Sequence, residues 1–153
     1  MNRRGFTLIE LLTTMAVIGL LASIAIPRYQ QLRKKANAAE VVSAMTTARG
    51  AAYNYSESAG SWPATSGLGS VPTGMGQYLP GGGSKLFNAG YYQLGWLAVP
   101  GGFGFKSTQV LYAYSADGVI CKGVYGMWGG AKNSDLLGFC SSGGGFVFLY
   151  VDR

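Results

Sequence analysis

An apolar run of 21 residues near the N-terminus, positions 6–26, contains a single charged residue, Glu10. As an α-helix it would be about 31 Å long at ~1.5 Å per residue, which matches a hydrocarbon core of ~30 Å. Arg3 and Arg4 precede the run, and Pro27 follows it. The run therefore predicts a helix that is apolar on all sides and can cross a membrane.

Three interpretations of this run compete. A secretory signal peptide would use Arg3 and Arg4 as its basic region and the small residues at 23–25 for cleavage. An ordinary membrane anchor is the second interpretation, and the third depends on the residues around Gly5. Glu10 argues against both simple interpretations, because a carboxylate inside an apolar run costs free energy and is usually kept for a function. The local residues leave all three open.

Downstream, helix-forming residues continue from Gln30 to about Ser58, with no glycine before Gly50. Apolar positions recur there at spacings of three and four, which predicts one apolar stripe on an amphipathic helix. We expect the two stretches to form one helix of roughly 50 residues, bent at Pro27 because proline removes a helical donor and clashes with the preceding turn. The stripe consists of Ala38, Val41, Met45, Ala48, Ala52 and Tyr55.

Residues 3–12 read Arg-Arg-Gly-Phe-Thr-Leu-Ile-Glu-Leu-Leu, which closely resembles the start of a type IV prepilin. In that family a short basic leader ends in glycine and is cut before phenylalanine, and the new N-terminus is methylated. The match combines the glycine, the phenylalanine, a glutamate four residues later and an apolar helix with a proline. It covers about residues 3–58, and the rest matches only in outline.

The resemblance implies a role for four residues. The prepilin peptidase would cut between Gly5 and Phe6 at the cytoplasmic face, and Phe6 would carry the N-methylated amine. Glu10 would pair with the N-terminal amine of a neighbouring subunit, since a paired carboxylate is tolerable in an apolar environment. The alternative for Glu10 is a side chain that snorkels to the interface. Pro27 would be the helix-bending proline, in a stretch from Gly19 that is often unwound in assembled filaments.

Basic residues on the two sides of the run point to an unexpected orientation. Arg3 and Arg4 precede it, whereas Arg28 and the cluster at 33–35 follow it. A count by the positive-inside rule would keep the C-terminal part in the cytoplasm. The resemblance implies export instead, and we follow it. The cluster at 28–35 would then face acidic groups of adjacent subunits, lipid headgroups or solvent.

Residues 58–90 are rich in Gly, Ser, Pro and Thr and predict a long loop, held down by Trp62, Tyr78, Leu79 and Phe87. The segments that follow are rich in β-branched and aromatic residues. They predict an α+β fold, with a meander of about four antiparallel strands packed on the amphipathic stripe. The expected strands are 91–99, 108–115, 119–125 and 146–151, with a hairpin turn at 116–118 and a possible extension at 103–105.

Cys121 and Cys140 are the only cysteines. Because the resemblance implies export, we expect an intrachain disulfide; the alternative is two reduced, buried thiols. The bridge would tie the glycine-rich segment 126–138 to the last strand. In pilins a late cysteine pair bounds a surface-exposed variable segment, and this pair resembles that arrangement.

The remaining composition argues against an enzyme. The chain has no histidine, two cysteines and six scattered acidic residues, so Cys/His zinc sites, histidine triads and carboxylate dyads are not expected. No cofactor or metal site is predicted. From residue 59 onward the chain has five basic and three acidic residues, a small positive excess, so nucleic-acid binding is possible but not indicated. The 20 aromatic residues are interpreted as packing groups.

The sequence therefore predicts a structural subunit of a type IV pilus filament, with surface functions such as adhesion, twitching motility or DNA uptake. Its expected parts are a cleaved leader at 1–5, an apolar assembly helix at 6–27, an amphipathic half at 28–58 and a globular β domain at 59–153. Expected partners are copies of itself, the inner membrane, the prepilin peptidase and methyltransferase, and the assembly machinery. Its location would be the inner membrane, then the extracellular filament. Alternatives are a minor pilin or type II secretion pseudopilin, and a secreted binding protein with an ordinary signal peptide.

Overall fold

A computed structural model describes residues 6–99, 108–132 and 135–152 of the chain. The predicted leader at 1–5, which includes Gly5, and the predicted strand extension at 103–105 lie outside these ranges. The chain divides into two compact units, Met1–Lys34 and Lys35–Arg153.

Helix α1 spans Leu8–Ala59 and continues through Pro27. Within the first unit it is long and apolar enough to cross a membrane, and none of its most apolar window is buried. Its large apolar side chains are exposed throughout this part. They are Leu8, Ile9, Leu11, Leu12, Met15, Val17, Ile18, Leu20, Leu21, Ile24, Ile26, Tyr29 and Leu32.

In the second unit, one face of α1 is buried, which confirms the predicted stripe. Five of the six predicted residues are buried, and Tyr55 is half-buried against the core. Ala44 and Ala51, which the predicted spacing skipped, widen the buried face. Alanine dominates this face: five of its seven buried residues are Ala38, Ala44, Ala48, Ala51 and Ala52.

The strands are β1 Gln93–Val99, β2 Thr108–Ser115, β3 Leu136–Ser141 and β4 Gly144–Asp152. They form one antiparallel sheet in the order β1-β2-β4-β3. The α+β fold with a four-stranded antiparallel sheet is thus confirmed, but the simple meander is wrong, because β2 pairs with β4 and β3 lies at the edge. The predicted strands at 91–99, 108–115 and 146–151 match β1, β2 and β4, whereas β3 was missed.

The inner face of this sheet and the stripe of α1 build the core. Leu94 and Trp96 of β1 and Leu111 of β2 are fully buried. Val147 and Leu149 contribute from β4. Alternate residues of a strand point to opposite faces, so the core uses every second position.

The third predicted strand, 119–125, is wrong, because the chain forms a helix there over Gly118–Met127. Asp117, predicted to lie in a hairpin turn, instead caps this helix: its Oδ1 accepts a hydrogen bond from the Val119 amide at 2.8 Å. Ile120 and Val124 are buried four residues apart, which is a helical spacing. Tertiary packing has overridden the β propensity of this apolar, β-branched segment.

The segment between α1 and β1 is the predicted long connection, and it includes short helical turns. These are 3-10 turns at Met75–Tyr78 and Pro80–Gly83 and a single α-helical turn, α2, at Ser84–Phe87; the helix at Gly118–Met127 is α3. The predicted anchors do hold it. Trp62 stacks on Trp96 at a centroid distance of 6.2 Å, and the Trp96 indole Nε1 donates to the Pro63 carbonyl at 3.1 Å. Tyr78 meets Tyr55 edge-on, and Leu79 and Phe87 are buried.

The structure places a disulfide between Cys121 and Cys140, with Cα atoms 5.7 Å apart. Cys121 belongs to α3 and Cys140 to β3. The expectation that the bridge reaches the last strand is therefore wrong: it ties α3 to the edge strand. On its other side α3 lies close to α1, since a Cβ added at Gly123 would come within 2.8 Å of the Ala38 Cβ.

Candidate assembly site

The first turn of α1 is closed by a reciprocal pair of side chains, Thr7 and Glu10. The Thr7 amide and hydroxyl donate to Glu10 Oε2 at 3.0 and 2.8 Å, and the Glu10 amide donates to Thr7 Oγ1 at 3.3 Å. This is the capping-box arrangement, in which the N-cap and N3 residues satisfy amides that have no partner within the helix. The pair fixes the start of the helix.

Sequence reasoning missed Thr7, although Thr-x-x-Glu before an apolar run is a signal that could have revealed it. The interpretation of Glu10 changes as a result. Its carboxylate does not lack a partner in the single chain, since Thr7 supplies two donors. Both donors use Oε2, and a carboxylate can accept hydrogen bonds at both oxygens. The geometry is thus compatible with an additional donor.

Other hydroxyls in the apolar run are satisfied by the helix itself. Thr13 Oγ1 donates to the carbonyls of Ile9 and Glu10, at 3.0 and 3.1 Å. Thr14 and Ser23 each donate to the carbonyl three residues earlier, at 2.9 and 2.7 Å. In hydrocarbon an unsatisfied polar group would cost several kcal/mol, so these internal bonds suit an apolar solvent.

The remaining predicted site residues do not form one cluster. Phe6 lies just before α1 with its side chain 83% exposed. Pro27 lies inside α1, and Gly5 lies outside the described residues. Of the predicted site residues, the structure brings Cys121 and Cys140 together.

The second unit has an open groove of about 340 Å³ beside α1. Glu40, Ser43 and Thr47 of α1 line it together with Lys85 and Tyr92. Burial, and secondarily the Glu40 carboxylate, raises the pKa of Tyr92 to about 12. Its hydroxyl therefore stays protonated at neutral pH. Across the described ranges, no three His, Cys, Asp or Glu side chains come together as a metal site would require.

Comparison with known proteins agrees with this picture. Residues 1–26 match the prokaryotic N-terminal methylation motif. The chain is 37% identical over 78 residues to the fimbrial protein EcpC of Eikenella corrodens, covering 50% of this chain and 51% of that protein. It is 33% identical over 81 residues to the type IV major pilin protein PilE1 of Neisseria gonorrhoeae, covering 50% and 49%. A fimbrial protein of Pseudomonas aeruginosa is 44% identical over 50 residues, covering 33% and 32%.

No solved structure matches the chain significantly. The chain spans about half the length of the Eikenella and Neisseria relatives that it matches.

The chain has a long N-terminal helix, apolar in its first half, and a four-stranded antiparallel sheet, which is an α+β fold like that of type IV pilins. The chain carries the prokaryotic N-terminal methylation motif and is similar to type IV pilins over about half of its length. These relatives are named as pilins and fimbrial proteins, which agrees with the expectation of a structural protein rather than an enzyme.

Proposed function

We propose that this chain is the main structural subunit of a type IV pilus filament. The observation that carries the proposal is a methylation motif that leads directly into an apolar helix with exposed side chains. Such a surface is stable only in lipid or against other apolar helices. A membrane precursor and an assembled filament supply these two environments in turn. The naming of one relative as a major pilin favours a main subunit over a minor pilin or pseudopilin.

The precursor would be processed at the Gly5–Phe6 bond while α1 lies in the inner membrane. A prepilin peptidase and methyltransferase would leave Phe6 as the N-methylated first residue. The exposed Phe6 side chain and the start of α1 two residues later, at Leu8, support this assignment. The second unit, which contains the disulfide, would lie outside the cytoplasm.

Glu10 would pair with the N-terminal amine of a neighbouring copy during assembly. Thr7 holds the carboxylate in the single chain, so assembly would add an amine to a partly satisfied group or replace its Thr7 donors. A charge-assisted bond is stronger than a bond between neutral groups, particularly in an apolar medium. The pairing would therefore favour one axial register between neighbouring helices.

Electron microscopy of sheared surface filaments, with mass spectrometry of their main component, tests the proposed function. We expect filaments built from this chain, starting at an N-methylated Phe6. A mature chain that starts near Ile26 would instead identify an ordinary signal peptide and a secreted protein. Detection of the chain as a trace component would favour a minor pilin or pseudopilin.

Processing can be tested at Gly5. We expect Gly5→Val to leave full-length precursor in the membrane, because the peptidase must accept the residue before the scissile bond in a tight site. Gly19→Ala is the control: a Cβ at Gly19 meets no atom within 4 Å, so cleavage should be normal. Normal cleavage of Gly5→Val on an immunoblot would reject the processing proposal.

The filament would serve surface functions such as adhesion, twitching motility or DNA uptake. Assays of each in a strain that lacks this chain, complemented with the wild type, would assign them. Unchanged behaviour in all three assays would contradict this part of the proposal.

A further inference from the structure

The outer face of the sheet is apolar. An antiparallel sheet with one face on the core usually presents polar side chains on the other. Here eight outward positions form an apolar patch with no polar group beyond tyrosine hydroxyls, and the polar Gln93, Thr108 and Ser141 lie at its margin. The eight are Leu97 of β1, Tyr112 and Tyr114 of β2, Leu137 and Phe139 of β3, and Phe146, Phe148 and Tyr150 of β4. We call this surface the aromatic face.

Strand register joins these side chains into one cluster. Phe148 lies opposite Tyr112 on one side and Leu137 on the other, and Phe146 lies between Tyr114 and Phe139. Phe148 stacks on Tyr112 and Phe146 at centroid distances of 5.8 and 5.9 Å, and Phe146 lies 4.9 Å from Tyr114. Phe139 of β3 lies edge-on to Phe148 at a centroid distance of 6.5 Å, so the rings are continuous across three strands.

Glycine at position 95 extends the cluster over β1. Gly95 pairs with Tyr112, and a Cβ at Gly95 would collide with the Tyr112 ring. The ring therefore lies over the glycine, and its hydroxyl donates to the Ser66 carbonyl at 3.4 Å. This packing holds Tyr112 down, whereas the β3 end of the cluster is open: Phe139 is 69% exposed and Leu137 46% exposed.

We infer that the aromatic face is a docking surface for a neighbouring copy of this chain, an inference that rests on the proposed filament function. Nucleic acids and anionic headgroups bind proteins through Lys and Arg side chains, and the residues of the aromatic face include neither. These two classes of ligand are therefore not favoured. An apolar surface of this kind gains free energy from burial against another protein surface.

The size of the face supports one contact among several. With strands ~4.8 Å apart and ~3.4 Å per residue, it measures on the order of 350 Å². A stable pair of proteins buries about 800 Å² on each partner. The aromatic face is too small for a lasting dimer alone, but it fits a subunit that is also held by its apolar helix. A filament grows by repeating the same assembly step, and such growth uses a head-to-tail contact between two different surfaces. The aromatic face of one copy would therefore contact a different surface of the next copy.

The test replaces the most exposed ring. Phe139→Asp, expressed as the only copy, should give mature-length protein with an oxidised cysteine pair but at least tenfold fewer sheared filaments. Val119→Asp is the control, since Val119 is an apolar residue of α3 that is 47% exposed. It should leave filament number within twofold, and Phe139→Leu should restore most of the Phe139→Asp loss. Normal filament numbers for Phe139→Asp would overturn the inference.

A second measurement does not depend on the stability of the aspartate variant. A photoreactive phenylalanine analogue at position 139 should yield, in wild-type-like filaments, adducts joining two copies of this chain. Adducts only to a carbohydrate or a different protein, or none, would overturn the inference and leave the filament function intact. If the wild type forms no filaments that contain this chain, both proposals fail.

Discussion

The two regions of the chain differ in the exposure of their large apolar side chains, which are exposed in residues 6–34 and form a buried core in residues 35–152. In the first region, Leu8, Leu12 and Ile18 are largely exposed, as are the other large apolar residues of α1 there. In the second region, Met45, Trp96 and Leu149 are almost wholly buried. α1 belongs to both regions, so the difference does not arise from secondary structure.

The comparison shows that a single helix can carry residues suited to an apolar environment in one part and to water in the other. In the first region, apolar residues surround the helix, and Thr13, Thr14 and Ser23 satisfy their hydroxyls within it. This composition suits an environment that is itself apolar. In the second region the apolar residues are restricted to one stripe, because water contacts the other side of the helix. The following variants would break or sharpen this comparison.

The largest effect is expected at Glu10, the charged residue of the apolar run. Glu10→Ala should nearly abolish filaments while leaving cleavage intact, because it removes the proposed partner of the neighbour's amine. Breaking one side of a buried pair typically costs ~3–5 kcal/mol, and the loss recurs at every subunit. Sheared filaments are counted after mature-length protein has been confirmed in the membrane.

Glu10→Gln separates pairing from capping. Glutamine can occupy the same position of a capping box but carries no charge. Loss of filaments in both variants would assign the role to the charge, whereas loss in Glu10→Ala with normal filaments in Glu10→Gln would assign it to the Thr7 cap. Normal filaments in both would leave only the snorkelling interpretation.

A matched pair of methionines tests burial directly. Met45→Ala should lower the free energy of unfolding by about 2–5 kcal/mol, because it empties a fully buried position. Met15→Ala, at an exposed position of the first region, should have little effect in detergent. Denaturant titration followed by tryptophan fluorescence measures both. Equal losses would show that the two regions do not differ as the comparison states.

The disulfide should contribute about 3 kcal/mol, since it closes a loop of 19 residues. Cys121→Ser should lower stability by this amount and reduce filament yield or shear resistance, while membrane insertion is unaffected. Cys140→Ser is the matched variant and should behave the same, because it removes the same bond. Labelling of both cysteines in the native, unreduced protein would refute the premise.

The smallest expected effect is at the cap of α3. Asp117→Ala should cost about 1 kcal/mol, because the Val119 amide loses its side-chain acceptor. Asp117→Asn should stay within a few tenths of a kcal/mol of the wild type, since asparagine caps helices as well as aspartate does. Equal losses in the two variants, measured by thermal unfolding, would show that the charge of Asp117 matters more than the cap.

The sequence by itself determined the features that depend on local pattern. The apolar run ending before Pro27 and the stripe through Val41 and Met45 predicted both parts of α1, because helical periodicity is visible in a single segment. The β-branched and aromatic content of β1, β2 and β4 was equally visible. The Thr7–Glu10 cap was visible too, in a four-residue pattern that was overlooked.

Only the tertiary structure decided α3, β3 and the order of the strands. The segment 119–125 has the apolar, β-branched content of a strand, but Gly123 lets it pack as a helix against Ala38. β3 has only six residues and contains Gly138, so its local signal is weak, and pairing with β4 creates it. The sheet order depends on which distant strands bury each other's side chains. Such non-local pairing leaves no period in the chain, because its free energy arises only when segments far apart in sequence meet.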